Sequence, residues 1–176
     1  MRLIDARRCP YCARARILLA EKGVEYETVE IDLSDRPAWV YELNAIGRVP
    51  ILEDDGFVLP ESEVIMAYLE ERFPEPAMLN GDLRGRARAR LLVHRFDSTL
   101  GDDYYAFRRG DANELAARLE ALQVGESLYS DIAFAPWVIR ARDMLGLPLP
   151  AHLETWLDTL AARPSIAAEI EIVRSL

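Results

Sequence analysis

The spacing of hydrophobic and polar positions changes along the chain, and each change marks an element. The short apolar run Leu3-Ile4 predicts a first strand. The residues from Ala13 to Lys22 are strong helix formers, and Gly23 ends them. Tyr26, Thr28, Val29, Ile31 and Leu33 are interrupted by Glu25, Glu27, Glu30 and Asp32, which predicts a second strand over residues 25 to 31. Ser34-Asp35-Arg36-Pro37 then offers a cap and an N-terminal proline for a helix of about two turns through Trp39, Tyr41 and Leu43, ending near Asn44. After a loop at Gly47 to Val49, the runs Val49 to Glu53 and Gly56 to Leu59 flank Asp54-Asp55-Gly56, a hairpin signal. Pro50 lacks a ladder donor, which confines it to an edge or a strand start and makes it a candidate cis-proline. Val64, Ile65, Tyr68, Leu69 and Phe73 keep a helical spacing after Glu61-Ser62, and Pro74 stops that helix.

Residues 74 to 83 carry two prolines and a glycine and read as a linker, so the chain divides into residues 1 to 76 and residues 84 to 176. Beyond the linker no strand pattern occurs. Leu83 to about Arg109 forms one long helical pattern that Gly101 is placed to bend, and Asp111 to Leu122 forms a shorter amphipathic one. Two further stripes, Leu153-Trp156-Leu157-Leu160 and Ile166-Ile170-Val173, are separated by Pro164. The expected fold class is therefore α/β followed by all-α.

Composition narrows the function. The chain has 176 residues, 51% of them hydrophobic, with 21 basic against 30 acidic residues and a formal charge of -9. That balance repels phosphate backbones and anionic bilayers, so neither nucleic acid nor a membrane is an expected partner. No apolar run approaches the roughly 18 residues that span a bilayer, and the N-terminus lacks the apolar core of a signal peptide. The two cysteines offer no disulfide framework, which fits a cytoplasmic protein.

Both cysteines lie in Arg7-Arg8-Cys9-Pro10-Tyr11-Cys12, at the predicted junction of strand and helix. Pro10 falls at the first helical position, which puts Cys9 at or beside the N-cap. Its sulfur then faces the positive end of the helix dipole, with Arg7, Arg8 and Arg14 nearby, and all of these favour thiolate. Cys12 is within one turn and within reach of a mixed disulfide on Cys9. Cys9 is thus the candidate nucleophile and Cys12 the resolving or modulating thiol. Inert core thiols are the competing reading. Zinc requires four ligands, and His94 and His152 stand in no ligand spacing, so no metal is expected.

Three pieces carry a family resemblance: Arg8-Cys9-Pro10-Tyr11-Cys12, the run from Arg36-Pro37-Ala38-Trp39 to Gly47-Arg48-Val49-Pro50, and Leu59-Pro60-Glu61-Ser62 to Tyr68-Leu69. In the order βαβαββα, residues 1 to 76 resemble the thioredoxin-like, glutathione-binding domain of the glutathione S-transferase superfamily, with omega-class members especially similar. The resemblance implies that Cys9 meets the glutathione sulfur beside Tyr11 and that the backbone of Val49, ahead of Pro50, pairs with the cysteinyl part. It further implies that Glu61 and Ser62 hold the γ-glutamyl end and that Arg36 reaches the glycyl carboxylate. One physical argument agrees independently. Ile65 rather than Glu follows Ser62 by three, so no capping box consumes the first-turn N–H groups of that helix, and they suit a carboxylate.

The motif also departs from the omega pattern, which carries a small residue in place of Cys12. Cys-Pro-Tyr-Cys is found in glutaredoxins and moves the expectation toward disulfide chemistry with glutathione or another low-molecular-weight thiol. The stretch from Ser127 to Trp137 resembles the buried core helix of the transferase second domain, but Leu128 stands where that family places Ser or Thr three residues before Asp131, and Ser127 lies one before it, so the usual capping box is absent or shifted. The short helical half implies a shallow second-substrate pocket, for which His94, Tyr104, Tyr105 and Arg108 are candidates; the competing reading makes the aromatic ones core. A homodimer is implied by the family alone. The alternative function is non-enzymatic: residues 61 to 74 followed by Val93-His94-Arg95 resemble stringent starvation protein A, a transferase-fold protein that binds RNA polymerase. Proteins of that kind generally lack the reactive cysteine.

Overall fold

A computed structural model describes all 176 residues, which form two compact units, Met1–Pro76 and Ala77–Leu176. In the first unit, strand β1 (Arg2–Asp5) leads into helix α1 (Pro10–Glu21), then β2 (Glu27–Glu30), α2 (Ala38–Leu43), β3 (Ile51–Asp54), β4 (Phe57–Pro60) and α3 (Ser62–Arg72). The sheet order is β2-β1-β3-β4. β1 runs parallel to β2 and antiparallel to β3, and β3 and β4 form an antiparallel hairpin. Asp55 and Gly56 form its two-residue turn, both at positive φ (50° and 84°), the geometry that matches a tight turn to strand twist. Ile4 lies opposite Ile51, and both are buried in one cluster with Cys9, Cys12, Val40 and Val49.

α1 is apolar or small on nearly every face and is accordingly buried along most of its length, packed against α3. Its end is locked by Lys22, whose Nζ meets Glu70 Oε2 at 2.6 Å and donates to the carbonyl of Pro76 at 2.7 Å. α2 departs from expectation. The departure is at its start: its six residues make the expected two turns or so and end at Asn44, but Pro37 occupies the cap with no side-chain bond. Ser34 does not cap it, because both its N–H and its hydroxyl turn back onto Asp32 Oδ1 (2.8 and 2.7 Å), a local bond that competes with helix initiation.

The second unit is all-helical: α4 (Leu83–Phe96), α5 (Asp102–Arg109), α6 (Leu115–Ala121), α7 (Leu128–Asp143), α8 (Ala151–Ala161) and α9 (Pro164–Arg174). A π turn over Asp97–Gly101 joins α4 to α5, so Leu83 to Arg109 is one continuous helix, as the pattern predicts, with a π bulge ending at Gly101. Thr99 Oγ1 donates to the Arg95 and Phe96 carbonyls there, which spreads the backbone ladder. α6 starts at Leu115, not Asp111, because Asn113 Oδ1 takes the Leu115 N–H and Asp103 takes that of Glu114. α7 is the centre, buried from Tyr129 to Ala141, with Phe134 stacked on Phe96 and Trp137 edge-on to it. Its start is capped by Ser127, whose Oγ takes the Ser130 N–H, while Asp131 reaches back to the Gly125 N–H at 2.8 Å. The Ser127 cap is therefore present, but Asp131 takes the Gly125 N–H instead of that of Ser127, so the reciprocal capping box is absent. Within the buried interior Arg140 meets Glu169 at 2.8 Å.

Candidate functional site

The geometry begins with a tight turn. Cys9 N–H donates to the Ala6 carbonyl at 2.8 Å, so Arg7 and Arg8 are the corner residues between β1 and α1 and both are exposed. Cys9 is the N-cap of α1 with extended backbone (φ −80°, ψ 118°), Pro10 is the first helical residue, and no side chain caps the helix. The dipole and the first-turn N–H groups of a twelve-residue helix thus converge on Cys9. The residue is 7% exposed, and its thiol donates weakly to the Val49 carbonyl at 3.7 Å. The Val49-Pro50 peptide is cis, as Pro50 suggested, and ends the loop from α2. Gly47 holds that loop at φ +64°, where a side chain would also collide with the Tyr41 ring.

Cys12 is fully buried one turn behind. Burial pushes its thiol well above the ordinary value, and the hydrogen bond toward the Cys9 sulfur, the charge of that sulfur and the carboxylate of Asp5 push the same way; the Ala6 backbone acts in the opposite sense. The two cysteines are reduced and both buried, but they differ in kind: Cys9 is the N-cap of the helix and keeps slight exposure, whereas Cys12 is fully enclosed beneath it. Asp5, itself buried, is paired with Arg16 Nη1 at 2.5 Å.

The hairpin register places Ile51 opposite Pro60, so Val49-Pro50 and Glu61-Ser62 flank the same end of β3 and β4. Glu61 is exposed and sits at φ 71°, ψ 111°, an uncommon conformation for a non-glycine residue. It precedes α3 without capping it, so the α3 start carries no side-chain cap. Ser62 is the first helical residue rather than the cap; it is buried, and its Oγ accepts from Arg14 Nη1 at 3.3 Å. Arg14, fully buried, also stands 5.4 Å from the centre of the Tyr11 ring. Arg14 thereby links the cysteine motif to Ser62, a role sequence reasoning missed. The available signal was an arginine on a helix with buried faces all round, where a cation needs partners.

Arg36 is exposed in the segment before α2. The remaining candidates belong to the helical unit and differ in exposure. Tyr104 is fully buried and edge-on to Tyr105 at 5.3 Å, Arg108 is exposed with its guanidinium 5.9 Å from the Tyr104 ring, and His94 is exposed on α4. Tyr104 is thus a core residue of that unit.

Comparison with known proteins agrees with this architecture. The family described as glutathione S-transferase, N-terminal domain, matches residues 3–77. A stringent starvation protein A homolog of Haemophilus influenzae is 40% identical over 113 residues, 64% of this chain and 53% of that protein. The chain spans about half the length of the first such curated relatives it matches. Pyrimidodiazepine synthase of Drosophila melanogaster is 36% identical in an alignment covering 96% of this chain and 79% of the synthase. Among solved structures, glutathione transferase Omega 1C from Trametes versicolor superposes with a TM-score of 0.81 at 26% identity, covering 99% of this chain and 93% of that one. A thioredoxin-like unit with its cysteine at a helix start, an all-helical unit after it, and a relative aligned along almost the whole chain lead to one conclusion: the chain belongs to the glutathione S-transferase superfamily.

Proposed function

We propose that the protein is a glutathione-dependent thiol transferase, a thiol-disulfide oxidoreductase in which Cys9 is the nucleophile. The observation that carries the reading is the pair itself: Cys9 at an uncapped helix start with Cys12 held as a thiol one turn behind it. The helix start and the Cys12 S–H both favour negative charge on the Cys9 sulfur. The Cys9 thiolate attacks the glutathionyl sulfur of a mixed disulfide, a new S–S bond forms, and the departing thiolate takes a proton from water. A second glutathione thiolate then attacks the adduct, which yields glutathione disulfide and returns Cys9. In a second route Cys12 loses its proton and attacks Cys9, releasing glutathione and leaving an internal disulfide. Tyr11, the Val49 backbone with Pro50, Glu61, Ser62 and Arg36 would hold glutathione. The uncapped α3 start beside buried Ser62 suits a carboxylate. No group of three or more potential metal ligands occurs, and the scheme uses no metal. No helix is long and apolar enough to cross a membrane. A cytoplasmic homodimer is the form in which we place this activity.

Intact-mass spectrometry after brief exposure to glutathione disulfide tests the reading. A glutathione adduct on Cys9 in the Cys12→Ser variant, with loss of two hydrogens in the unsubstituted protein, supports it. Neither product would turn attention to other thiols. The similarity to a stringent starvation protein A homolog favours a second reading, an RNA polymerase-binding protein. Stoichiometric recovery of polymerase on the tagged protein, unaffected by Cys9→Ser, would place that reading first. The relative aligned along almost the whole chain is, by its name, a synthase, which favours an enzyme.

A further inference from the structure

Asp5 closes β1 and is 2% exposed, yet neither resolving route uses it. A carboxylate so enclosed needs a counter-charge, and Arg16 supplies it from α1 through Nη1 at 2.5 Å. The pair brackets Cys12. Arg16 stands four residues after Cys12, one turn further along the helix, and the backbone of Ala6, the residue after Asp5, hydrogen-bonds the Cys12 sulfur. In the cluster that encloses Cys12, Ile4, Val40, Val49 and Ile51 are apolar, and Tyr11 is the other titratable side chain packed against it. Arg14, on the same helix, is engaged with Ser62 and the Tyr11 ring. The charges that oppose ionisation of Cys12 are those of the Cys9 sulfur and of Asp5, and Asp5 acts in that sense in spite of its pairing with Arg16. Once Cys9 carries glutathione its sulfur is uncharged, and of the two only Asp5 still acts.

Resting on the thiol-transferase reading, we propose that the buried Asp5–Arg16 pair selects between the two resolving routes: Asp5 is a positioning residue that restrains Cys12 from closing on Cys9 and leaves the Cys9–glutathione adduct to a second glutathione. Closure requires the Cys12 proton to pass to water and the Cys12 sulfur to bond to that of Cys9. The Cys9–glutathione bond then breaks, and glutathione leaves as a thiolate that takes up a proton. A fixed negative charge beside Cys12 opposes the first of these events. The competing attack brings its thiolate from solvent and requires no ionisation of Cys12. Cys12 therefore serves as an S–H donor to the Cys9 thiolate between turnovers, and it closes on Cys9 only where reduced glutathione is scarce. A two-cysteine motif then works through one sulfur, with the internal disulfide as its reserve state.

The test follows the adduct in time. The reduced full-length protein is mixed with glutathione disulfide, quenched with acid at intervals, and weighed by intact-mass spectrometry, with and without millimolar reduced glutathione. In the unsubstituted protein the adduct should close slowly when glutathione disulfide is the only reagent, and should return to free Cys9 before closing when reduced glutathione is present. Asp5→Asn should release the restraint. A tenfold gain in Cys12 thiolate, less the fall in nucleophilicity that accompanies a more acidic thiol, makes closure about threefold faster at pH 7. Attack by external glutathione on the same adduct should not speed up with it, and in the Cys9→Ser background the ultraviolet absorbance of the Cys12 thiolate should appear at lower pH when Asp5 is replaced. Asp5→Asn/Arg16→Met removes both charges and should give the same result, which keeps the question open to test if the single variant, left with an unpaired Arg16, does not fold. An adduct in the unsubstituted protein that closes ahead of glutathione attack overturns the proposal. So does an unchanged closure rate in the variants, or one that rises together with external attack, since loosened packing and not charge would then be responsible. If no adduct forms on Cys9 even in Cys12→Ser, the thiol-transferase reading itself fails and takes this selection with it.

Discussion

α1 and α7 are the buried helices of their respective units, and each encloses an arginine that is fully buried, yet the two arginines are placed to do different things. Arg140 on α7 meets the equally buried Glu169 and donates to the carbonyl of Pro136, whose own missing N–H interrupts the helix ladder. Both partners are structural. Arg14 on α1 reaches the hydroxyl of Ser62 and stands against the Tyr11 ring, and both of those residues belong to the proposed glutathione site. The same side chain in the same degree of burial meets a buried carboxylate in one helix and two residues of the proposed site in the other. The difference lies in what stands at its far end.

Substitutions can break this contrast at several levels. The largest effect belongs to the site: Cys9→Ser should lower thiol transfer by at least about 10³-fold while leaving the far-ultraviolet circular dichroism unchanged, because a hydroxyl is not ionised at neutral pH. Full activity in that variant would remove α1 from the chemistry. Next comes cohesion. Arg140→Met leaves Glu169 buried without its cation and should cost about 3–5 kcal/mol in urea unfolding, most of which Arg140→Met/Glu169→Met should recover. An Arg140→Met loss that the double substitution does not repair would show that packing, not charge, is at issue. The corresponding change in α1 is smaller and of another kind. Arg14→Met, made in the Cys12→Ser background, should raise the glutathione disulfide concentration for half-maximal capture by about tenfold, from loss of a charge-assisted bond to Ser62. A change in stability alone would not move that concentration, so an unaltered value would make Arg14 a second Arg140.

The contrast also explains what could be read from the chain alone. Periodicity revealed α8 and α9 because Leu153, Leu157, Leu160, Ile166, Ile170 and Val173 all face inward. The cysteine pair was legible because Pro10 fixes the helix start, which puts Cys9 at the cap without any tertiary information. Arg14 was not, since its meaning depends on Ser62, 48 positions away. Local bonds decided the other differences: Ser34 prefers Asp32 to the α2 start, and Thr99 opens a π turn within the long helix. Tyr104 and His94 are close in the chain, but only packing determines that the first is enclosed and the second exposed. Motifs built on a helix start or a proline carry their geometry with them, whereas contacts between distant elements do not.

The smallest effect probes the start of α7. Asp131 is buried where it accepts the Gly125 N–H, and burial raises its carboxyl from the ordinary value of 3.8 while that amide bond pulls it back. A carboxyl that titrates higher in the fold than in the unfolded chain adds stability fully present below pH 3.8, and that stability is lost as the pH rises through its folded value. Asp131→Asn keeps an oxygen for Gly125 and removes the ionisation. Its stability relative to the unsubstituted protein should therefore improve as the pH is raised from about 3 to 7, in paired urea titrations at each pH. A relative stability that instead falls over the same range would mean that the ionised carboxylate, through the α7 dipole, is worth more than its burial costs. The start of α7 would then resemble the start of α1 more closely than its burial suggests, each being a helix end that favours a negative charge.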